Sequence, residues 1–456
     1  MPGHEPSIRR SHFIRRWTGG IAAAFACVAL PAGAEDLVQV YRDAQRYDAV
    51  YGAARFSLEA GRERIPQGRA LLLPSVTATA NAAAVRIEQS SQNELIAPPF
   101  VRSPTTRGYT LTLTQPIYRP QNLAQRDQAD YQVRQAEATF AQASQDLTVR
   151  TGQAYFDVLA AQDTLAFVRA QKAAISEQLA QAKRNFEVGT ATITDTHEAQ
   201  SRYDLIIAQE IAAQNDLDSK RRALQLITGK EYAQLKPLRS EIRLSPPDPN
   251  DMQSWVDLAE KQSYLVLIQQ AITEVAQLEA KRQSAAHLPT VDLVGSYGTV
   301  YDTGSLQSGI GRDITTGQIG LQLSVPLYQG GSISSREREA AANYYKARQD
   351  VENARRTAAL TTRQTYLAVI NGIAQVAALE QALTSSQSAL DSNRLGYEVG
   401  VRINIDVLNA QQQVFSTLRD LAVARYNAIL NHLRLKAAAG SLRDEDLEGV
   451  NRALQP

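Results

Sequence analysis

The sequence predicts an α+β molecule dominated by helix, elongated, and made of two similar halves. Three observations predict it. A long pattern recurs about 211 positions on: the break Phe186-Glu187-Val188-Gly189-Thr190 returns as Tyr397-Glu398-Val399-Gly400-Val401, and each following helix ends at a glycine, Gly229 or Gly440. A long helical seam precedes each break. Before each seam lies a pair of short segments whose apolar residues alternate with period two, the mark of a half-exposed strand.

The seam explains the elongation. Leu147, Thr151, Ala154, Val158, Ala161, Leu165, Val168, Lys172, Ile175, Leu179, Ala182 and Phe186 fall at alternating spacings of four and three, as in a coiled coil. The second copy places Ala358, Val369, Val376, Leu379, Leu383, Leu390 and Tyr397 on the same seam, and no proline lies between Pro120 and Pro237. Alanine and threonine let helices approach closely but bury little area each, so each arm needs neighbours on more than one side. An arm of about 65 residues is roughly 100 Å long at 1.5 Å per residue. The molecule is therefore a rod or a wall.

A secretion leader is expected at 1–34. Arg9, Arg10, Arg15 and Arg16 precede the apolar run Trp17 to Leu30, and Ala32-Gly33-Ala34 offers small residues for cleavage before Glu35. Cys27, the single cysteine, leaves with the leader in this reading; a lipid-attachment role fits Ala24-Phe25-Ala26 poorly. The formal charge of +1 gives no basic excess for nucleic acid.

The rest of the chain divides into a first repeat (35–234), a connector (235–250), a second repeat (251–440) and a tail (441–456). Each repeat runs helix, hairpin, long helix, tip turn, helix. Asp36 to about Leu72 is expected as one helix. Leu73-Pro74 ends it, and Val76, Ala78, Ala80, Ala82 and Ala84 then alternate with Ser75, Thr77, Thr79 and Asn81. A loop is expected from Glu88 to Arg107, followed by a strand to Ile117 and an exit at about 118. The second repeat has a helix from Trp255 to about Ala286, Leu288-Pro289, and a hairpin over about 289–327. The connector carries Pro237, Pro246, Pro247 and Pro249, with a short strand expected at Glu241 to Leu244. The tip turns fall at about 188–191 and 399–402. The short helices together match the long arm in rise, so they are expected to stack end to end beside it. No long apolar helix is expected. Four strands of about ten residues suit a bilayer at a tilt but cannot close a barrel, and an open edge is not tolerated in lipid. Either they stay in water, or several chains pool them; three chains would give twelve.

No enzyme signature is complete. His197-Glu198 lacks a second histidine, Thr228-Gly229-Lys230 lacks the upstream glycine of a phosphate loop, and Gly309-Ile310-Gly311 lacks its third glycine. After the leader only His197, His287 and His432 remain, without ligand spacing. No catalytic residue, cofactor or resident metal is expected. The helix breaks are the candidate site: Thr194 and Asp195 follow the first, and Arg402, Asp406 and Asn409 the second. An acid in the first turn of a helix also serves the helix itself. The other reading is a polar constriction where these tips converge.

The stretch from Tyr397 through Arg402-Ile403-Asn404-Ile405-Asp406 to Ala410 closely resembles the tip signature of the TolC-type outer-membrane channel family. The two-fold repeat, the Leu-Pro hairpin entries, and the exits Gln115-Pro116-Ile117-Tyr118 and Val325-Pro326-Leu327-Tyr328 extend the resemblance over nearly the whole chain. It implies a homotrimer: a twelve-stranded barrel in the outer membrane of a Gram-negative bacterium, and a long coiled-coil helical barrel projecting into the periplasm. The implied partners are outer-membrane lipid, a periplasmic adaptor (membrane fusion) protein and an inner-membrane ABC or RND transporter. Thr194, Asp195, Tyr397 and Arg402 match positions that hold the tip shut, with Gly189 and Gly400 in the tip turns. Asp406 matches an acid at the narrowest point. The second acid position is Asn409 here, which implies one acid ring and a weak cation site at Asp406. The run Gly61-Arg62-Glu63-Arg64-Ile65-Pro66-Gln67-Gly68-Arg69 resembles that of type I secretion components; drug efflux, alone or in addition, stays open. The alternative is a secreted coiled-coil structural or adhesion protein without a pore, and a periplasmic hydrolase is the third reading.

Overall fold

The structure, a computed structural model, describes residues 34–90, 92, 98–239, 244–304 and 310–455. The expected leader, apart from Ala34, and the expected strand at 241–244, apart from Leu244, lie outside the described residues. So does Gly309.

The expected helix from Asp36 to Leu72 is three: α1 (Leu37–Tyr47), α2 (Ala49–Arg62) and α3 (Arg64–Ala70). Asp48 ends α1 and caps α2, accepting the Tyr51 amide at 2.7 Å while Arg150 donates to both its oxygens at 3.0 and 3.1 Å. Burial pushes the Asp48 carboxyl up, but Arg150 and the Tyr51 amide more than offset this and hold it below the usual carboxylate range. Pro66 offers no N–H to the turn before it, which accounts for the second interruption.

The first hairpin is β1 (Ser75–Ala84), β2 (Ile87–Gln89), β3 (Phe100–Arg102) and β4 (Thr105–Tyr118). The expected loop thus holds a small β2–β3 ribbon. Then come α4 (Pro120–Glu187), with proline at its first position, and α5 (Ile193–Thr228). The second repeat has α6 (Met252–Gln262), α7 (Tyr264–Ser284) with a 3₁₀ turn at Ala285–His287, β5 (Thr290–Asp302), β6 (Arg312–Ser324), α8 (Ser332–Glu398) and α9 (Asn404–Ala438). Asp251 starts α6 earlier than expected by accepting the Ser254 amide at 2.8 Å. The break at Ser263 stands where Asp48 stands in the first repeat. The tail folds as α10 (Asp444–Asn451), which periodicity did not reveal.

The wall-like stacking holds. Helices of 11, 14, 7 and 36 residues lie in the same repeat as α4, which has 68. α2 and α3 pack on its first part and α5 on the part before the tip, with Tyr51 against Phe140 at 5.4 Å. α8 lies likewise along α6, α7 and α9. Ten of the twelve first-seam positions are buried. The other two are Lys172, which reaches Glu210 at 2.7 Å, and Phe186, exposed at the tip. The second seam leaves Leu379, Leu383 and Tyr397 only half-buried.

One expectation is corrected. α8 contains an 18-residue window of mean hydropathy 1.3, apolar enough by length and composition to cross a membrane. Only 11% of that window is buried, so most of its apolar residues lie outside the buried seam.

The four strands make one antiparallel sheet in the order β1-β4-β5-β6. β4–β5 joins the two repeats, from Thr106↔Asp302 to Pro116↔Asp292, and Arg119 clamps Asp292 below it with two bonds of 2.7 and 2.6 Å. β1 and β6 are exposed along their whole length. At the level of the connector, the first and last described segments meet. Glu35 bridges to Leu235, Leu238 to Leu454, and the Tyr155 hydroxyl donates to the Lys236 carbonyl at 2.8 Å.

Candidate functional site: the tip of the helical arms

Each arm stops through the same backbone device. Gly189 and Gly400 adopt φ of +79° and +81°, a left-handed conformation that glycine takes without steric cost. The amides of Thr190 and Ala191 then donate to the Asn185 carbonyl at 2.8 and 3.2 Å; those of Val401 and Arg402 donate to Gly396 at 2.9 and 3.0 Å. Here a glycine was missed by sequence reasoning. A Cβ on Gly396 would lie 2.6 Å from Arg402 Cγ, so the bare backbone lets the Arg402 stem fold across the arm. Its repeat equivalent, Asn185, uses its side chain instead, donating to the Tyr397 hydroxyl at 3.3 Å.

After the turns the two helices start differently. Thr192 caps α5 and forms a capping box with Asp195. The Asp195 carboxylate accepts the Thr192 amide at 3.0 Å and its hydroxyl at 2.8 Å, and Thr192 Oγ1 accepts the Asp195 amide. α9 starts at Ile403 with no side-chain cap. There Asp406 sits in the first turn, 3.6 Å from Arg402 Nη1. The two acids are repeat equivalents with different duties: Asp195 secures its own helix start, and Asp406 faces the arginine. Within one chain the structure brings Arg402 to Asp406 and not to Asp195. Thr194 is exposed in the first turn of α5.

Asn409, the expected neutral position, is not idle. Arg202 of α5 reaches across to α9, donating to Asn409 Oδ1 at 2.9 Å and to Gln412 Oε1 at 2.8 Å. Arg202 was missed because its partners lie about 207 positions away and no spacing links them. Above this contact a notch of about 100 Å³ opens between α4, α5 and α9, lined by Gln171, Arg202, Gln209, Gln411 and Gln412. Below it the tip is apolar and exposed, with Val188, Leu395, Val399, Val401 and Ile403 outward. Among the described residues, the side-chain hydrogen bonds that join the two tips are Asn185 to Tyr397 and Arg202 to Asn409 and Gln412. Such contacts can separate at small cost.

The chain as a whole is similar to known proteins. The family model described as "Outer membrane efflux protein" matches residues 43–230 and 255–441, one block per repeat. The outer membrane protein TolC of Vibrio cholerae is 33% identical over 436 residues, covering 95% of this chain and 97% of the relative. The proteases secretion protein PrtF of Dickeya chrysanthemi is 31% identical over 426 residues, covering 91% and 90%. Among solved structures, the Campylobacter jejuni CmeC outer membrane channel superposes with a TM-score of 0.77 at 16% identity, covering 92% of this chain and 90% of that one. These relatives favour a duct over a secreted coiled-coil protein without a pore. The chain belongs to the outer membrane efflux protein family, the TolC-type outer-membrane channels, with a sheet for the outer membrane and helical arms reaching into the periplasm.

Proposed function

We propose that this duct works as a homotrimer in which three four-stranded sheets close a twelve-stranded barrel. The observation that carries the reading is the sheet itself. It is open at both edges, and Val76, Ile319, Leu321 and Leu323 on those edges are 64–73% exposed. Bare edges of this kind invite further strands in water and are excluded from lipid. Closure by copies of the same chain removes both costs together. The helical arms then ring a tunnel whose tip is narrowed by Asp406 and Asn409 and held by Thr194, Asp195, Tyr397 and Arg402. Transport is passive, and the protein performs no chemistry on its cargo.

The exposed apolar residues around Val188 and Val399 suit a periplasmic adaptor, which would link the duct to an inner-membrane transporter. The name of PrtF supports protein cargo and type I secretion over small-molecule efflux. Membrane fractionation with unheated and heated gel electrophoresis tests the assembly: a band at three chains that collapses on heating, recovered with the outer membrane, is expected. A soluble monomer would refute it. Cargo is tested by deleting the gene and measuring protease in the medium against drug susceptibility.

A further inference from the structure

The internal repeat specifies how two copies of this chain meet. The hairpins are equivalent residue for residue. Ser75↔Thr114 begins the β1–β4 ladder as Thr290↔Ser324 begins β5–β6, and Ala84↔Thr105 answers to Thr299↔Thr315. Ser75 thus stands for Thr290, and Thr114 for Ser324. The contact between repeats inside the chain is β4 on β5. One repeat further on, the same contact is β6 of one copy on β1 of the next. Carried across, Thr112↔Ser296 becomes Gln322↔Asn81. Leu113↔Gly295 and Leu111↔Tyr297 become Leu323↔Ala80 and Leu321↔Ala82. We propose that neighbouring copies join through this antiparallel β6–β1 register. The proposal rests on the homotrimer reading and adds to it which residues meet.

Two further observations support the register. The first is the match of faces. It sets Ile319, Leu321 and Leu323 opposite Ala84, Ala82 and Ala80, and Gln322 and Ser324 opposite Asn81 and Thr79. A slip of one residue in either direction would put Leu323 opposite a polar side chain, Thr79 or Asn81. The pattern of faces excludes odd slips, and the repeat chooses among the even ones.

The second is where β6 stops. β4 continues through Gln115-Pro116-Ile117-Tyr118 because β5 pairs with it there. The equivalent Val325-Pro326-Leu327-Tyr328 follows the end of β6 and is bare, with Leu327 and Tyr328 92% and 88% exposed. The neighbour's β1 supplies the missing strand: Thr77 opposite Pro326 and, after the irregularity that β4 shows between Pro116 and Tyr118, Val76 opposite Tyr328. The inter-copy seam differs from the internal one in one respect. The Arg119–Asp292 clamp has Gln329 and Thr77 as its equivalents, so the seam between copies is uncharged at that level.

The test is disulfide cross-linking of outer-membrane preparations. Full-length chains carry Cys27→Ser together with Asn81→Cys and one of Gly320→Cys, Gln322→Cys or Ser324→Cys. Directly opposite Cα atoms lie roughly 4.5–5.5 Å apart, within disulfide reach, whereas diagonal ones at roughly 7–8 Å do not. Mild oxidation should link chains of the Asn81→Cys/Gln322→Cys protein into reductant-sensitive dimers and trimers, at least tenfold more than in either shifted pair. Light scattering in detergent separates the two hypotheses. A trimer that cross-links best at a shifted pair, or at none of them, overturns the register and leaves the homotrimer standing. A monomeric Cys27→Ser parent overturns both.

Discussion

At the residue scale, the tip turns on which partner each charged group has. Asp195 and Asp406 occupy equivalent positions, yet Asp195 is committed to the Thr192 capping box while Asp406 is 3.6 Å from Arg402. A cap contributes about 1 kcal/mol to its helix, and an exposed pair such as Arg402–Asp406 less. The proposed gate therefore rests on a few weak contacts. In planar bilayers, Arg402→Ser should raise single-channel conductance several-fold, and Asp406→Ala should abolish block by cations added on the periplasmic side. Unchanged conductance in the first, or wild-type block in the second, places the constriction elsewhere. A third residue reports on the region near the connector. His432 lies in a 470 Å³ pocket between α9, α10 and the connector, where burial holds its imidazole below the ordinary value. The unfolded chain then takes up the proton first as pH falls. The stability due to neutral His432 is complete above about pH 6.5 and is lost as pH drops through the lower folded value. Melting followed by circular dichroism should fall less between about pH 7.5 and 5 in His432→Asn than in the parent; equal slopes would rule the imidazole out.

At the element scale, glycines that look alike in sequence carry different loads. Gly400 has φ of +81° and nothing within 4 Å of a would-be Cβ. Gly400→Ala should cost only the left-handed strain, about 1–2 kcal/mol. Gly440 has φ of +74°, and a Cβ there would lie 2.2 Å from the Gln262 carbonyl oxygen, at the break between α6 and α7. Gly440→Ala adds a backbone collision to the same strain and should cost roughly 2–5 kcal/mol in all. Denaturant unfolding of the two variants measures the difference, and equal losses would mean that the α9 end is free to shift. Helix periodicity located both glycines as ends of helices. It could not separate them, because the distinguishing neighbour of Gly440 is about 178 positions away and belongs to another helix.

At the scale of the whole molecule, the contrast is between a clamped internal seam and an unclamped external one. β4–β5 is tied by Arg119 and Asp292, with Asp292 nearly buried and two short bonds between them. Transplanting that clamp is a direct use of the repeat. Thr77→Asp with Gln329→Arg should raise the temperature at which the trimer dissociates in detergent, while either change alone should lower it or leave it unchanged. A charge left unpaired near the membrane is costly, and a paired one much less so. If the double variant dissociates no later than the parent, the two side chains do not meet across copies.

The sequence by itself determined the two-fold repeat, the long arms, the four strands and the tip turns. Each of these is set by local periodicity, proline and glycine, and the resemblance at Tyr397–Ala410 named the family. It also led to the expectation that Asp195, Arg402 and Asp406 share one tip. Only the tertiary structure decided their partners. It gave Asp195 to Thr192, Arg402 to Asp406 and Asn409 to Arg202, broke the short helices at Asp48 and Ser263, and paired β4 with β5. The physical reason is common to these outcomes. A period reports which face of an element is buried, whereas a hydrogen bond or an ion pair depends on which distant element arrives at that face and at what height.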